Sequence, residues 1–234
     1  MVSHRTKEKT ISKKEKVYQE LKLEIISQRL KGGQPITEDE VVRKYFISRT
    51  PVREIFRKLE MEGLLQNIPY KGAYVTNITA KDIEDILDIR FALESFAAKL
   101  AAARATDADI KKFEEMETQF VKAMKTRNSG LSFETDTKLH DLILRIAGNK
   151  RIHSIITNLL TQIHRIRYIS GHVEGRMDTT TKEHLEIIKA IKKRDAILAE
   201  EKMQMHISNT KELLLKPSKS EEEFLSLLSS SNNT

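Results

Sequence analysis

Seven histidines and no cysteine confine any metal chemistry in this chain to imidazole and carboxylate ligands. Asp136 and His140 lie four apart in "DTKLHDLIL", a segment with helical periodicity, so both project from one face with neighbouring Cβ atoms. His184 and His206 fall in two further predicted helices on either side of a turn expected at Arg194-Asp195. At about 1.5 Å per residue an antiparallel pair brings both to the same height, roughly 15 to 17 Å from the turn. One aspartate and three histidines converging in a helical bundle suit a divalent ion such as zinc, nickel, iron(II) or manganese, with positions left for water or a ligand. The plainer reading is a set of hydrogen-bonded core histidines. His4, His153, His164 and His172 show no comparable spacing in the sequence and keep the plainer reading. A metal-dependent hydrolase would also need a general base. Apart from Asp136 no carboxylate lies three or four residues from these histidines, and Asp141 and Glu183 are expected to point elsewhere around their helices.

A second chemistry sits in "FISRTPVREIFRKLEMEGLL", residues 46 to 65. Val52, Ile55, Phe56 and Leu59 form a stripe to be buried, while Arg49, Arg53, Arg57 and Lys58 crowd the same short helix. Guanidinium groups on the first turns of a helix can bond guanine O6 and N7 in the major groove, and the backbone N–H groups near Ser48 favour a phosphate. Ser48 is expected as N-cap, Pro51 in the first turn, Glu54 as a favourable charge at that end, and Gly63 as the stop. Residues 1–79 hold 16 Lys and Arg against 10 Asp and Glu, and the remainder 25 against 24, so the excess positive charge is N-terminal.

The elements that must position these groups follow from periodicity and punctuation. Residues 1–15 read as a flexible basic arm. A first helix carries Val17, Leu21, Ile25 and Ile26 and is expected to end near Lys31-Gly32-Gly33; a second starts at the Thr37/Glu40 capping box and runs to Tyr45. After the basic third helix, "LLQNIPYKGAYVT" predicts a short hairpin with Lys71-Gly72 at its tip, close to DNA. This is the order of a winged helix-turn-helix over 16–79. From Thr79 the pattern is helical throughout: a long first helix, then about 107–126, 131–146, 150–170, 179–193 and 195–215. Arg90 and Glu94, four apart on the long helix, read either as an exposed ion pair or as an arginine facing an anion-binding cavity. The Ser-rich residues 216–234 are expected to be disordered.

"SRTPVREIFRKLEMEGLL" followed by "PYKGAYV" resembles the DNA-binding domain of the GntR superfamily of bacterial transcription regulators, with Phe46 where the family has a turn glycine. The resemblance implies that Ser48, Arg49, Thr50, Arg53 and Gly72 touch DNA. "DIRFALESFAAKLAAARAT", "DTKLHDLILRIAGNKRI" and "EHLEIIKAIKKRDAILAEEKMQMHI" resemble the FCD effector-binding domain of the FadR subfamily, over about 80–215. Its metal-binding members place an aspartate and three histidines where this chain has Asp136, His140, His184 and His206. The implied protein is not an enzyme but a mainly α-helical, homodimeric repressor of a palindromic double-stranded operator. It would sense a small carboxylate-bearing effector at a divalent metal, zinc first among the candidates. A second domain that only dimerises, or whose pocket holds no metal, is the rival reading.

With 234 residues, 39% hydrophobic and 32% charged, the chain has material for one or two helical domains. It shows neither a membrane-length apolar run nor a signal-peptide core, so the expected location is the cytoplasm.

Overall fold

The computed structural model describes residues 12–173 and 175–215. The chain divides into two compact units, Met1–Asn77 and Ile78–Thr234. His4, most of the basic arm and the Ser-rich tail lie outside the described residues.

The first unit contains α1 (Lys13–Ile26), β1 (Pro35–Ile36), α2 (Glu38–Tyr45), α3 (Arg49–Met61), β2 (Leu65–Ile68) and β3 (Gly72–Val75). The helix thus starts inside the segment assigned to the arm, because Ser12 accepts a hydrogen bond from the Glu15 N–H and caps it. It also ends earlier than the glycine pair suggests: Gln28 already turns with φ 56°. The glycines serve the sheet instead. The Gly33 N–H donates to the Val75 carbonyl at 2.8 Å, and a Cβ on Gly32 would lie 2.5 Å from Asn77 Oδ1.

α2 begins with the expected Thr37/Glu40 capping box and ends on Phe46, which is left-handed (φ 49°, ψ 51°). α3 buries Val52, Ile55 and Leu59, each burial stabilising by about 1.5–3 kcal/mol. Ser48 occupies the N-cap position, yet its side chain makes no capping hydrogen bond. Glu54 is not in the first turn; it pairs with Lys14 at 2.8 Å. The expected hairpin is joined by a third strand, in the order β1-β3-β2: Ile36 faces Ala73 and Gln66 faces Tyr74. A two-residue strand starting on proline has too few positions for any period to show.

The second unit is helical throughout its described residues: α4 (Ala80–Arg104), α5 (Asp107–Lys125), α6 (Ser129–Ala147), α7 (Lys150–Asn158), α8 (Leu160–Gly171), α9 (Arg176–Lys192) and α10 (Ala196–Leu215). Capping boxes Thr79/Asp82 and Thr106/Asp109 start α4 and α5. α4 lies along α10 and α6, and α9 runs antiparallel to α10 after the turn at Arg194 (φ 57°). The helix expected over 150–170 is two: at Leu159 the ladder tightens to an i→i+3 bond onto Ile156, with no proline or glycine to announce it. The core is a continuous cluster around Leu87, Phe113, Phe120, Leu139, Ile163 and Ile187.

Phe46 is 84% exposed, so its ring gains little packing to offset the cost of left-handed backbone. Phe46→Gly is expected to stabilise the protein by about 0.5–1 kcal/mol in urea unfolding; a loss of stability would show that the ring contributes packing after all.

Candidate functional site

Asp136 and His140 sit one turn apart on α6, His184 on α9 and His206 on α10, and all four are buried. One ligand atom from each lies within 4.8 Å of every other. The imidazole rings crowd together, with centroids 4.6 Å apart for His184 and His206 and 5.4 Å for His140 and His206. His140 Nε2 and His184 Nε2 approach Asp136 Oδ1 at 3.3 and 3.2 Å, but neither nitrogen makes a hydrogen bond. Buried nitrogens left without hydrogen bonds around one carboxylate oxygen fit ligation of a shared cation better than a satisfied polar core.

Two further ring nitrogens point the same way, while His184 Nδ1 makes no hydrogen bond. His140 Nδ1 contacts Glu94 Oε2, and His206 Nδ1 lies 2.8 Å from Glu183 Oε2. A carboxylate on Nδ1 holds the proton there and turns the Nε2 lone pair inward. Glu183 was expected to point away because it precedes His184 in sequence. It does leave the His184 face by about 100° of helix rotation, and that direction meets α10, where it also binds Asn209 at 2.9 Å. Intrahelical spacing carries no information about a partner on another helix.

Arginines surround this centre. Arg90 and Glu94 are each 1% exposed, so the exposed ion pair is not what the fold builds; Arg90 Nε donates to Glu94 Oε1 at 2.7 Å. Arg167, on α8 and unremarked in the sequence, places Nε 3.4 Å from Asp136 Oδ2 and Nη2 3.7 Å from Glu94 Oε2, and its Nε makes no hydrogen bond. Arg176 grips Glu183 with two bonds of 2.8 and 2.9 Å and also reaches Thr210. α9 starts three residues before the expected 179, which is what brings Arg176 into it.

The electrostatics follow from burial set against these partners. Burial would raise the Glu94 carboxyl, but Arg90, His140 and Arg167 hold it well below the usual carboxylate range. Asp136 is likewise held well below by Arg167 and the two imidazoles, against the effect of burial. Burial and the neighbouring His184 push His206 down to about 3, and burial lowers His184. Both rings are therefore neutral at pH 7, the state a metal ligand requires.

On the first unit, Ser48, Arg49, Thr50 and Arg53 are exposed at the start of α3, and Lys71 and Gly72 are exposed at the β2–β3 tip. Gly72 has φ 93°, which excludes a side chain there without strain. A groove of about 480 Å³ runs between α3 and the hairpin, bordered by Glu38, Arg53, Arg57, Lys71 and Gly72. Two acidic partners are new: Asp39 accepts from Arg49 Nη2 at 2.9 Å, and Glu38 accepts from Arg53 Nε.

Comparison with known proteins agrees with this architecture. Residues 13–75 match the family described as bacterial regulatory proteins, gntR family, and residues 85–209 match the FCD domain. The HTH-type transcriptional repressor RspR of Escherichia coli K12 is 31% identical over 198 residues, covering 85% of this chain and 87% of RspR. Escherichia coli McbR/YncC shares the fold, with a TM-score of 0.72 at 16% identity over 96% of this chain and 100% of its own. The metal-free FCD domain of TM0439 superposes with a TM-score of 0.51 at 20% identity, covering 66% of this chain and 99% of its own. The curated relatives are named as transcriptional regulators, not enzymes, and the hydrolase reading is set aside.

Removing Glu94 would leave Arg90 and Arg167 buried without their shared counter-charge. Glu94→Ala is expected to destabilise the protein by about 3–5 kcal/mol in urea unfolding, against less than about 1 kcal/mol for Glu134→Ala at an exposed ion pair.

Proposed function

From the premise that the chain belongs to the GntR family of bacterial regulatory proteins, with an FCD domain as its second part, we propose that it is a ligand-responsive repressor acting on DNA. It senses a small organic acid at a divalent metal held by Asp136, His140, His184 and His206. The observation that carries the sensing half is the convergence of those four buried donors within 4.8 Å, two of their rings braced by Glu94 and Glu183. One oxygen and three nitrogen donors suit zinc, nickel, iron(II) or manganese, which at an open position would act as a Lewis-acid anchor for an anion.

Charge supports an anionic effector. In the buried centre Arg90 and Arg167 already balance Glu94 and Asp136. A divalent ion therefore adds two positive charges that only an incoming anion or hydroxide can offset in a low-dielectric interior. Arg90 is committed to Glu94, so it acts on the effector through the field it sets up; Arg167, with an unbonded Nε, is the better placed direct contact.

For the DNA half, the exposed Ser48, Arg49, Thr50 and Arg53 at the start of α3 form the reading surface, with Lys71 and Gly72 on the flanking wing. Ser48 spends no hydroxyl bond on its own helix, which leaves it for a phosphate. Two copies related by a two-fold axis read a palindromic operator. Repression is favoured because RspR and the Paenarthrobacter nicotinovorans relative are named repressors. Such a protein works in the cytoplasm, and no helix among the described residues is long and apolar enough to cross a membrane.

Metal analysis of the purified protein tests the sensing half. One divalent ion per chain is expected, lost in His140→Ala and bound about 10- to 100-fold more weakly in Glu183→Gln; metal-replete protein without a stoichiometric ion would leave a domain that only dimerises or has a non-metal pocket. On a selected operator, Arg49→Ala should cost about 1–3 kcal/mol of specific binding with an unchanged circular-dichroism spectrum, and undiminished binding would refute the reading surface.

A further inference from the structure

α3 does not present its arginines alike. Arg53 donates through Nε, at 3.1 and 3.0 Å, to the two carboxylate oxygens of Glu38. Its terminal Nη groups make no hydrogen bond among the described residues. Arg49 instead spends a terminal nitrogen, donating Nη2 to Asp39 Oδ1 at 2.9 Å. Guanine offers O6 and N7 side by side, and a guanidinium meets both with two parallel N–H groups. A carboxylate seated on the Nε side fixes the plane of the fork and leaves both Nη groups facing outward. A carboxylate on Nη2 occupies one of them.

Glu38 is itself well held. It is the first residue of α2, next to the Thr37/Glu40 capping box, so its backbone position is set by the helix start. Glu38 and Arg53 both border the groove between α3 and the wing. Exposed ion pairs contribute little to stability, and this pair is exposed at 62% for Arg53 and 35% for Glu38.

We propose that Glu38 is a positioning residue for DNA reading: it orients Arg53 for bidentate contact with a guanine, and its negative charge lowers affinity for duplex that lacks that guanine. The proposal rests on the reading of α3 as the DNA-reading helix. A cation already paired with a carboxylate releases fewer counterions from the DNA backbone, so the pair weakens sequence-independent binding. Where a guanine is present, the preset fork is the shape that base requires. One side chain thus raises discrimination from both directions.

The test uses the full chain. An operator is selected from randomised duplexes with the wild type, and selection is repeated with Glu38→Gln, Glu38→Asp, Arg53→Ala and the Glu38→Gln/Arg53→Ala double variant. Affinities are measured on the selected operator and on a random-sequence duplex, with circular dichroism as the control for folding. Glu38→Gln is expected to weaken operator binding about tenfold and to tighten random-duplex binding about two- to threefold. It should relax preference at the guanine that Arg53→Ala relaxes, with no further relaxation in the double variant. Glu38→Asp keeps the charge with a shorter reach and should lose base preference without gaining random-duplex affinity. If Glu38→Gln tightens both duplexes alike with base preference intact, or Glu38→Asp matches the wild type, the carboxylate is only a charge and the proposal is overturned. If Arg53→Ala leaves base preference unchanged, the reading of Arg53 itself fails and takes the proposal with it.

Discussion

Charged groups leave water at a cost of several kcal/mol each unless a partner goes with them, and the helical unit buries two carboxylates, two guanidiniums and three imidazoles at its centre. That constraint governs the arrangement. Glu94 is shared by Arg90, Arg167 and His140; Asp136 lies between Arg167 and the two imidazoles that approach its Oδ1. No member can be changed without exposing another to the penalty, so the cluster specifies how α4, α6, α8 and α9 meet. At the edge of the same centre Arg176, Glu183 and His206 repeat the scheme and tie α9 to α10.

Neutrality of His184 and His206 follows from the same burial. Pushed toward the uncharged form, His184 and His206 keep lone pairs available, while the carboxylates on Nδ1 of His140 and His206 decide which nitrogen faces inward. A helical core that would otherwise be sealed by Phe120 and Leu139 is given a polar interior with imidazole nitrogens that make no hydrogen bond. The packing of Phe120 on the His184 ring excludes water from one side and strengthens the electrostatics within.

The first unit meets an opposite requirement: its charges must stay in water and remain available. α3 docks through Val52, Ile55 and Leu59 and leaves its polar face outward. Placement depends on the two-residue step from Phe46 to Ser48, where a left-handed residue reverses the chain at the end of α2. Here a Lys13 hydrogen bond to the Phe46 carbonyl, at 2.9 Å, braces the turn from α1.

Local signals in the sequence were enough for most of the helices, for the capping boxes at Thr37 and Thr79, for the hairpin, and for the spacing that pairs Asp136 with His140. These depend on backbone geometry within a few residues, which the residue types dictate. That His184 and His206 meet could also be counted from the turn between them, since two antiparallel helices translate residue number into height. Only the tertiary structure decided that Arg90 and Glu94 are buried, that Glu183 turns to α10, that Arg167 belongs to the centre, and that Glu38 faces Arg53. Each of those is a contact between elements separated by a loop, and no periodicity within one helix records the angle at which another arrives. The two-residue β1, defined by its pairing with β3, belongs with them, and so does the break at Leu159, which no breaker in the chain announces.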